Sequence, residues 1–122
     1  MSREQIVVSM RPNLELAEAN TAIEQFQNST LRPILKLQNQ LLLSFFQDKI
    51  IQSNSRFENL SSSEKQITLA NIYQKDLAFR QQNIGLILGM FTSHEFDFFL
   101  QNKQEVAKRI ITMIMERVKS QV

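Results

Sequence analysis

Thr21-Ala-Ile-Glu24-Gln-Phe26-Gln-Asn-Ser-Thr30-Leu-Arg32-Pro33-Ile-Leu-Lys36-Leu-Gln38-Asn-Gln40-Leu-Leu-Leu-Ser-Phe45-Phe46-Gln-Asp-Lys-Ile50-Ile-Gln52 is the stretch whose reading decides the fold. It opens on a capping box, in which the Thr21 hydroxyl and the Glu24 carboxylate reciprocally satisfy orphan backbone N–H groups at a helix start. Ile23, Phe26, Thr30, Ile34, Leu37, Leu41 and Phe45 then recur with a 3.6-residue period, the signature of one helix face. Pro33 interrupts this stripe. A proline inside a helix removes a hydrogen bond and crowds the preceding turn, at a cost of ~3 kcal/mol or more. Either one helix spans about 22–52 with a kink, or Thr30 caps a second helix whose tolerant first turn holds Pro33. Continuity of the stripe favours the kinked rod.

The same grammar repeats downstream. Ser61-x-x-Glu64 opens a helix over about 63–91, with Leu69, Tyr73, Leu77, Arg80, Ile84, Leu88 and Phe91 on one stripe. Thr92-x-x-Glu95 opens a short helix over about 93–101. Asn102-x-x-Glu105 opens a last helix over about 103–120, with Val106, Ile110, Met113, Ile114 and Val118 on its apolar face. Ser55-x-x-Glu58 fits the box too, but no long periodic run follows it, so residues 53–61 read as a loop with Phe57 and Leu60 turned inward. Upstream, residues 1–20 read as an extended arm, partly flexible. Ile6-Val7-Val8 is β-prone and Arg11 precedes a proline, which favours extended backbone. The expected architecture is an arm followed by a single all-α domain over 21–122, a four- to five-helix bundle built on two long helices.

Composition agrees. Two glycines and two prolines in 122 residues leave little material for the turns that sheets need. With no cysteine, disulfides, thiolate metal sites and cysteine nucleophiles are excluded together. Lys and Arg number 14 against 12 Asp and Glu, a net charge of +2 whose weak field demands neither nucleic acid nor a membrane surface. No apolar run approaches the ~20 residues of a membrane span, and MSREQIVVSMRP lacks a secretory layout, so cytoplasmic residence is expected.

Chemistry-bearing motifs are sparse. His94, the single histidine, sits beside the capping residues Thr92 and Glu95 and reads as an exposed first-turn side chain. Helical di-iron sites use Glu-x-x-His pairs, which do not occur here. Gly85 and Gly89 lie within an apolar helix and build no phosphate loop; their spacing suggests close approach of a neighbouring helix. No catalytic residue, metal ligand or cofactor is assigned. Asp76 and Arg80 stand at i, i+4 in the favourable acid-first order, and Arg80 falls on the apolar stripe, where an arginine needs a partner. Arg32, Lys36 and Asn39 share a face after the proline, with Gln38 beside them as a candidate hydrogen-bonding pin. The sharpest site hypothesis gathers Arg32, Gln38, Tyr73, Asp76 and Arg80 around a pocket for a small acidic ligand. The tight connection between the last two helices resembles a helix-turn-helix in outline, with Lys103, Gln104, Lys108 and Arg109 as candidate groove contacts, though the small net charge argues against it.

The stretch Phe26-Gln-Asn-Ser-Thr-Leu-Arg-Pro-Ile-Leu-Lys-Leu-Gln-Asn-Gln-Leu-Leu42 resembles an uncharacterised family of short all-helical bacterial proteins. Lys75-Asp76, Arg80, Gly85, Gly89-Met-Phe-Thr92, Lys108-Arg109, Met113 and Glu116-Arg117 are similar as well. Some members of that family carry the label glyoxalase, which this sequence does not support. The common glyoxalase module is a βαβββ unit holding a divalent metal with His and Glu, and neither its strands nor its ligand spacing occurs here. The Leu41–Phe46 stretch is apolar nearly all round, and helices of 22–52 and 63–91 would be roughly 46 and 42 Å long. Such rods call for a covering partner. The leading expectation is therefore a non-enzymatic helical interaction or structural protein acting as a homodimer that engages other proteins. The acidic-ligand binder or enzyme comes second, and a weak nucleic-acid binder third.

Overall fold

The computed structural model describes residues 1–53 and 56–122, and among them there is no strand. Nor is any described helix long and apolar enough to cross a membrane. The elements are α1 (Arg3–Ser9), α2 (Ala22–Phe26), a π-turn (Gln27–Leu31), α3 (Arg32–Leu37), α4 (Asn39–Ser53), a 3-10 turn (Phe57–Asn59), α5 (Ser62–Lys75), α6 (Leu77–Leu88), α7 (Ser93–Gln101) and α8 (Lys103–Lys119). The expected all-α bundle is what forms. The capping-box pattern that starts at Ser55 lies partly outside the described residues.

Helix α8 is the spine, packing against α4, α5, α6 and α7. It buries Val106, Ile110, Ile111, Ile114 and Val118, each worth roughly 1.5–3 kcal/mol relative to exposure. Phe46, Tyr73 and Phe79 form an aromatic layer in the middle of the core, and Phe26 stacks on Phe98 nearer the arm.

Both long helices are interrupted, and the interruptions correct the expected stripes. The rod over 22–52 neither kinks simply nor restarts at a Thr30 cap. Its chain widens into a π-turn, in which the Arg32 N–H reaches back to the Gln27 carbonyl, and continues into α3. The wider ring relieves the crowding that Pro33 would impose on an α-helical turn before it. At Gln38 the backbone leaves helical geometry (φ −89°, ψ 4°) before α4 begins. That step turns the buried face from the expected Leu37, Leu41 and Phe45 to Leu42, Phe46 and Ile50, leaving Leu41 52% exposed.

The second rod breaks at Asp76, whose extended backbone separates α5 from α6. Asp76 caps α6 by accepting from the Phe79 N–H, and its carboxylate pairs with Lys49 of α4. The stripe is only partly kept: Ile84 and Phe91 go inside as expected, but Leu77, expected in the core, is 69% exposed, while Phe79, Asn83 and Ile87 are buried. No neighbour crosses Gly85, where an added Cβ would meet nothing within 4 Å, and at Gly89 it would meet only the Gly85 carbonyl of its own helix.

The arm carries no regular secondary structure over residues 12–19, and α1 corrects the reading of its start. Ser2 and Gln5 form a capping box that the sequence does contain, and this overrides the β-prone Ile6-Val7-Val8 run.

Candidate functional site

The Leu86 carbonyl of α6, three carbonyls of the turn that follows it and the start of α7 are served by Gln38 and by the arm. The Gly85, Ile87 and Leu88 carbonyls at the end of α6 accept from the Gly89, Met90 and Phe91 N–H groups, and the helix dipole leaves negative charge there. Arg3 donates to the Gly89 and Phe91 carbonyls at 3.0 and 2.7 Å, and Arg11 to the Met90 carbonyl at 2.9 Å. Gln38 donates to the Leu86 carbonyl at 2.8 Å, the pinning role its position suggested. Glu4 accepts from the Ser93 N–H at the start of α7. Arg11 then grips the Glu95 carboxylate with both terminal nitrogens at 2.7 and 2.8 Å. The same carboxylate accepts from the Thr92 N–H and the Thr30 hydroxyl. Burial pushes the Glu95 carboxyl up, but these donors win and hold it below its ordinary value. The clasp is a charge-compensated, structural arrangement, although among the described residues the buried Arg11 Nε has no hydrogen-bond partner.

A second arginine-rich place lacks that compensation. An open cleft of about 520 Å³ lies between the π-turn with α3 on one side and the C-terminal half of α8 on the other. Leu35 and Met113 give it apolar lining, and Gln27, Asn39, Ser120 and Gln121 give polar lining. Arg32 and Arg117 both open onto it. Burial lowers the pKa of the Arg117 guanidinium, and the nearby Arg32 charge lowers it further. Among the described residues neither arginine has a carboxylate within ion-pair distance; Glu116 lines the same cleft without pairing to either.

Each polar group here is held from behind. Arg32 donates through Nε to Asn28 Oδ1 at 3.0 Å, which leaves the two terminal nitrogens for the cleft. Asn28 is itself buried and donates to the Ala17 carbonyl of the arm. Gln27 accepts from Arg109 at 2.7 Å, and so its amide N–H groups are the ones left over. Asn39 and Gln121 exchange two amide hydrogen bonds at 2.8 and 3.0 Å, and Arg117 donates to Asn39 at 3.4 Å. The local cause of this wall is the π-turn. Five residues along an α-helix turn about 500°, which would leave side chains 27 and 32 roughly 140° apart; the wider i→i−5 turn rotates less per residue and brings them nearer one face.

The five residues expected to share a pocket do not. Arg32 alone lies on the cleft. Gln38 is spent on Leu86, and Asp76 on its capping bond and Lys49. Tyr73 is fully buried against Phe46 and Phe79, its hydroxyl without a partner and its pKa raised by burial. Arg80 lines a separate groove between α6 and α8 with Lys108 and Gln104, and makes no ion pair with Asp76. Of the candidate groove contacts on the last helix pair, Lys103, Gln104 and Lys108 are exposed and Arg109 is committed to Gln27. Arg117 and Gln27 were missed. Both sit at unremarkable helical positions, and only the packing of α8 against the first rod brings them together.

Among the described residues no group of three or more His, Cys, Asp or Glu side chains is placed to hold a metal ion. Comparison of the chain with family models, curated proteins and solved structures returned no match.

Proposed function

We propose that this protein is a non-enzymatic helical protein that binds a small anion in the cleft between the π-turn and α8. The observation that carries the reading is the pair Arg32 and Arg117, two guanidiniums facing one cleft with no carboxylate partner. Arg117 is half-buried and Arg32 exposed; a charge partly withdrawn from water, as at Arg117, needs compensation, and a bound anion reached by both guanidiniums supplies it. Guanidinium forks match carboxylate and phosphate oxygens in geometry as well as in sign. Thermal-shift measurements with sodium phosphate, succinate and acetate at constant ionic strength test it, since a ligand selective for the folded state raises the melting temperature. Stabilisation that disappears in Arg32→Gln and Arg117→Gln supports the reading; equal shifts in wild type and both variants would sink it.

A second reading, self-association through α4 as a homodimer that engages other proteins, rests on Leu41 and Ile51, 52% and 74% exposed on one helix. Light scattering coupled to size exclusion decides it: a monomer across the micromolar range ends the homodimer.

A further inference from the structure

The inference concerns what the cleft selects, and it rests on the anion-binding reading above. Pro33 is buried at the second position of α3, directly after the widened turn. Its ring excludes an α-helical turn over residues 29–33 without strain, so the Arg32 N–H bonds to the Gln27 carbonyl. This backbone choice has a side-chain consequence: the wider turn brings positions 27 and 32 nearer one face than an α-helix would, and Gln27 and Arg32 both line the cleft, as does Arg117. Gln27 is held in place by Arg109, and Arg32 by Asn28. The cleft thus holds an amide with its N–H groups unspent and a guanidinium whose two terminal nitrogens are unspent, each fixed by one hydrogen bond and lining the same space as the second guanidinium. One negative charge would offset only one of the two arginines. Glu116, exposed on the rim and paired with neither, leaves that demand open.

We propose that the cleft is selective for a small dianion, phosphate-like or dicarboxylate, and that the π-turn imposed by Pro33 is its specificity element, with Pro33 and Gln27 as positioning residues. Calorimetric titration with sodium phosphate, sodium succinate and sodium acetate at about pH 8 and matched ionic strength tests this. Wild type is expected to bind at least one dianion tenfold or more tightly than acetate; which dianion it prefers separates a compact site from an extended one. In Pro33→Ala, residue 33 regains an N–H that can bond four residues back, and the preference over acetate should fall at least fivefold while the helical circular dichroism is retained. A merely structural proline would weaken both anions alike. An unchanged preference in Pro33→Ala overturns the role of the turn but leaves anion binding standing. Equal affinity for acetate and both dianions in wild type overturns the selectivity. Binding of none of the three by wild type removes the underlying reading, and this inference with it. Should Pro33→Ala lose its helical signal, Gln27→Leu decides the matter without altering the backbone: a preference reduced at least threefold supports the wall, and an unchanged one overturns it.

Discussion

Two pairs of arginines reach across helix boundaries in this protein, and they meet opposite fates. Arg3 and Arg11 come from the arm, find the carbonyls that end α6, and Arg11 closes on Glu95. Arg32 and Arg117 come from the two sides of a cleft, face each other, and find amides only. The first pair donates to the Gly89, Met90 and Phe91 carbonyls just past α6 and holds the chain's start against α6 and α7. In the second, terminal guanidinium nitrogens remain available where solvent can enter. A carboxylate counter-charge at Arg11 marks structure, and its absence at Arg32 and Arg117 among the described residues marks a place for a ligand. The contrast is drawn within one chain, on one residue type, so differences in intrinsic side-chain chemistry play no part.

The largest expected effect breaks the clasp. Glu95→Gln leaves Arg11, only 9% exposed at its side chain, without a counter-charge. Removing one partner of a buried pair costs about 3 kcal/mol, read as a lowered urea midpoint. Acidification probes the same place in wild type. Because the folded protein holds the Glu95 carboxyl below its ordinary value of 4.5, its contribution is fully present above that pH and is lost as the pH falls through the folded value. Stability should therefore decline below about pH 4.5, less steeply in Glu95→Gln than in wild type.

A smaller effect is expected from Arg3→Ala, which frees the Gly89 and Phe91 carbonyls to water. Loss of about 1 kcal/mol in denaturant unfolding fits a partly exposed helix-end contact. The smallest belongs to the cleft: Arg117→Gln should change stability by no more than about 0.5 kcal/mol, and a slight gain is allowed because repulsion from Arg32 is relieved. A loss above about 2 kcal/mol would show that Arg117 is structural, as Arg11 is, and would erase the distinction between the two pairs.

Much of the fold was legible because helix starts are written locally. Thr21-x-x-Glu24, Ser61-x-x-Glu64 and Thr92-x-x-Glu95 each open a helix within one or two residues of where the sequence puts it. Ser2-x-x-Gln5 was equally legible and was passed over in favour of β-propensity, a weaker signal than a cap. The helix face was harder. Periodicity assumes an unbroken rotation of about 100° per residue, and Gln38 and Asp76 each reset it. Upstream of Asp76 the stripe holds, and Leu69 and Tyr73 go inside as it predicts, so Tyr73 belongs to the core and not to a site; downstream, Leu77 and Arg80 fall outside the core.

The amino-acid sequence by itself determined that this chain is helical and where most helices begin, because capping and periodicity act over three or four residues. It also determined that Pro33 would disturb the first rod. The tertiary structure alone decided how that disturbance resolves, which face of each rod goes inside, and that Arg32 meets Arg117. Those outcomes depend on packing between elements remote in the chain, where the free energy of a contact is set by whichever surface arrives opposite.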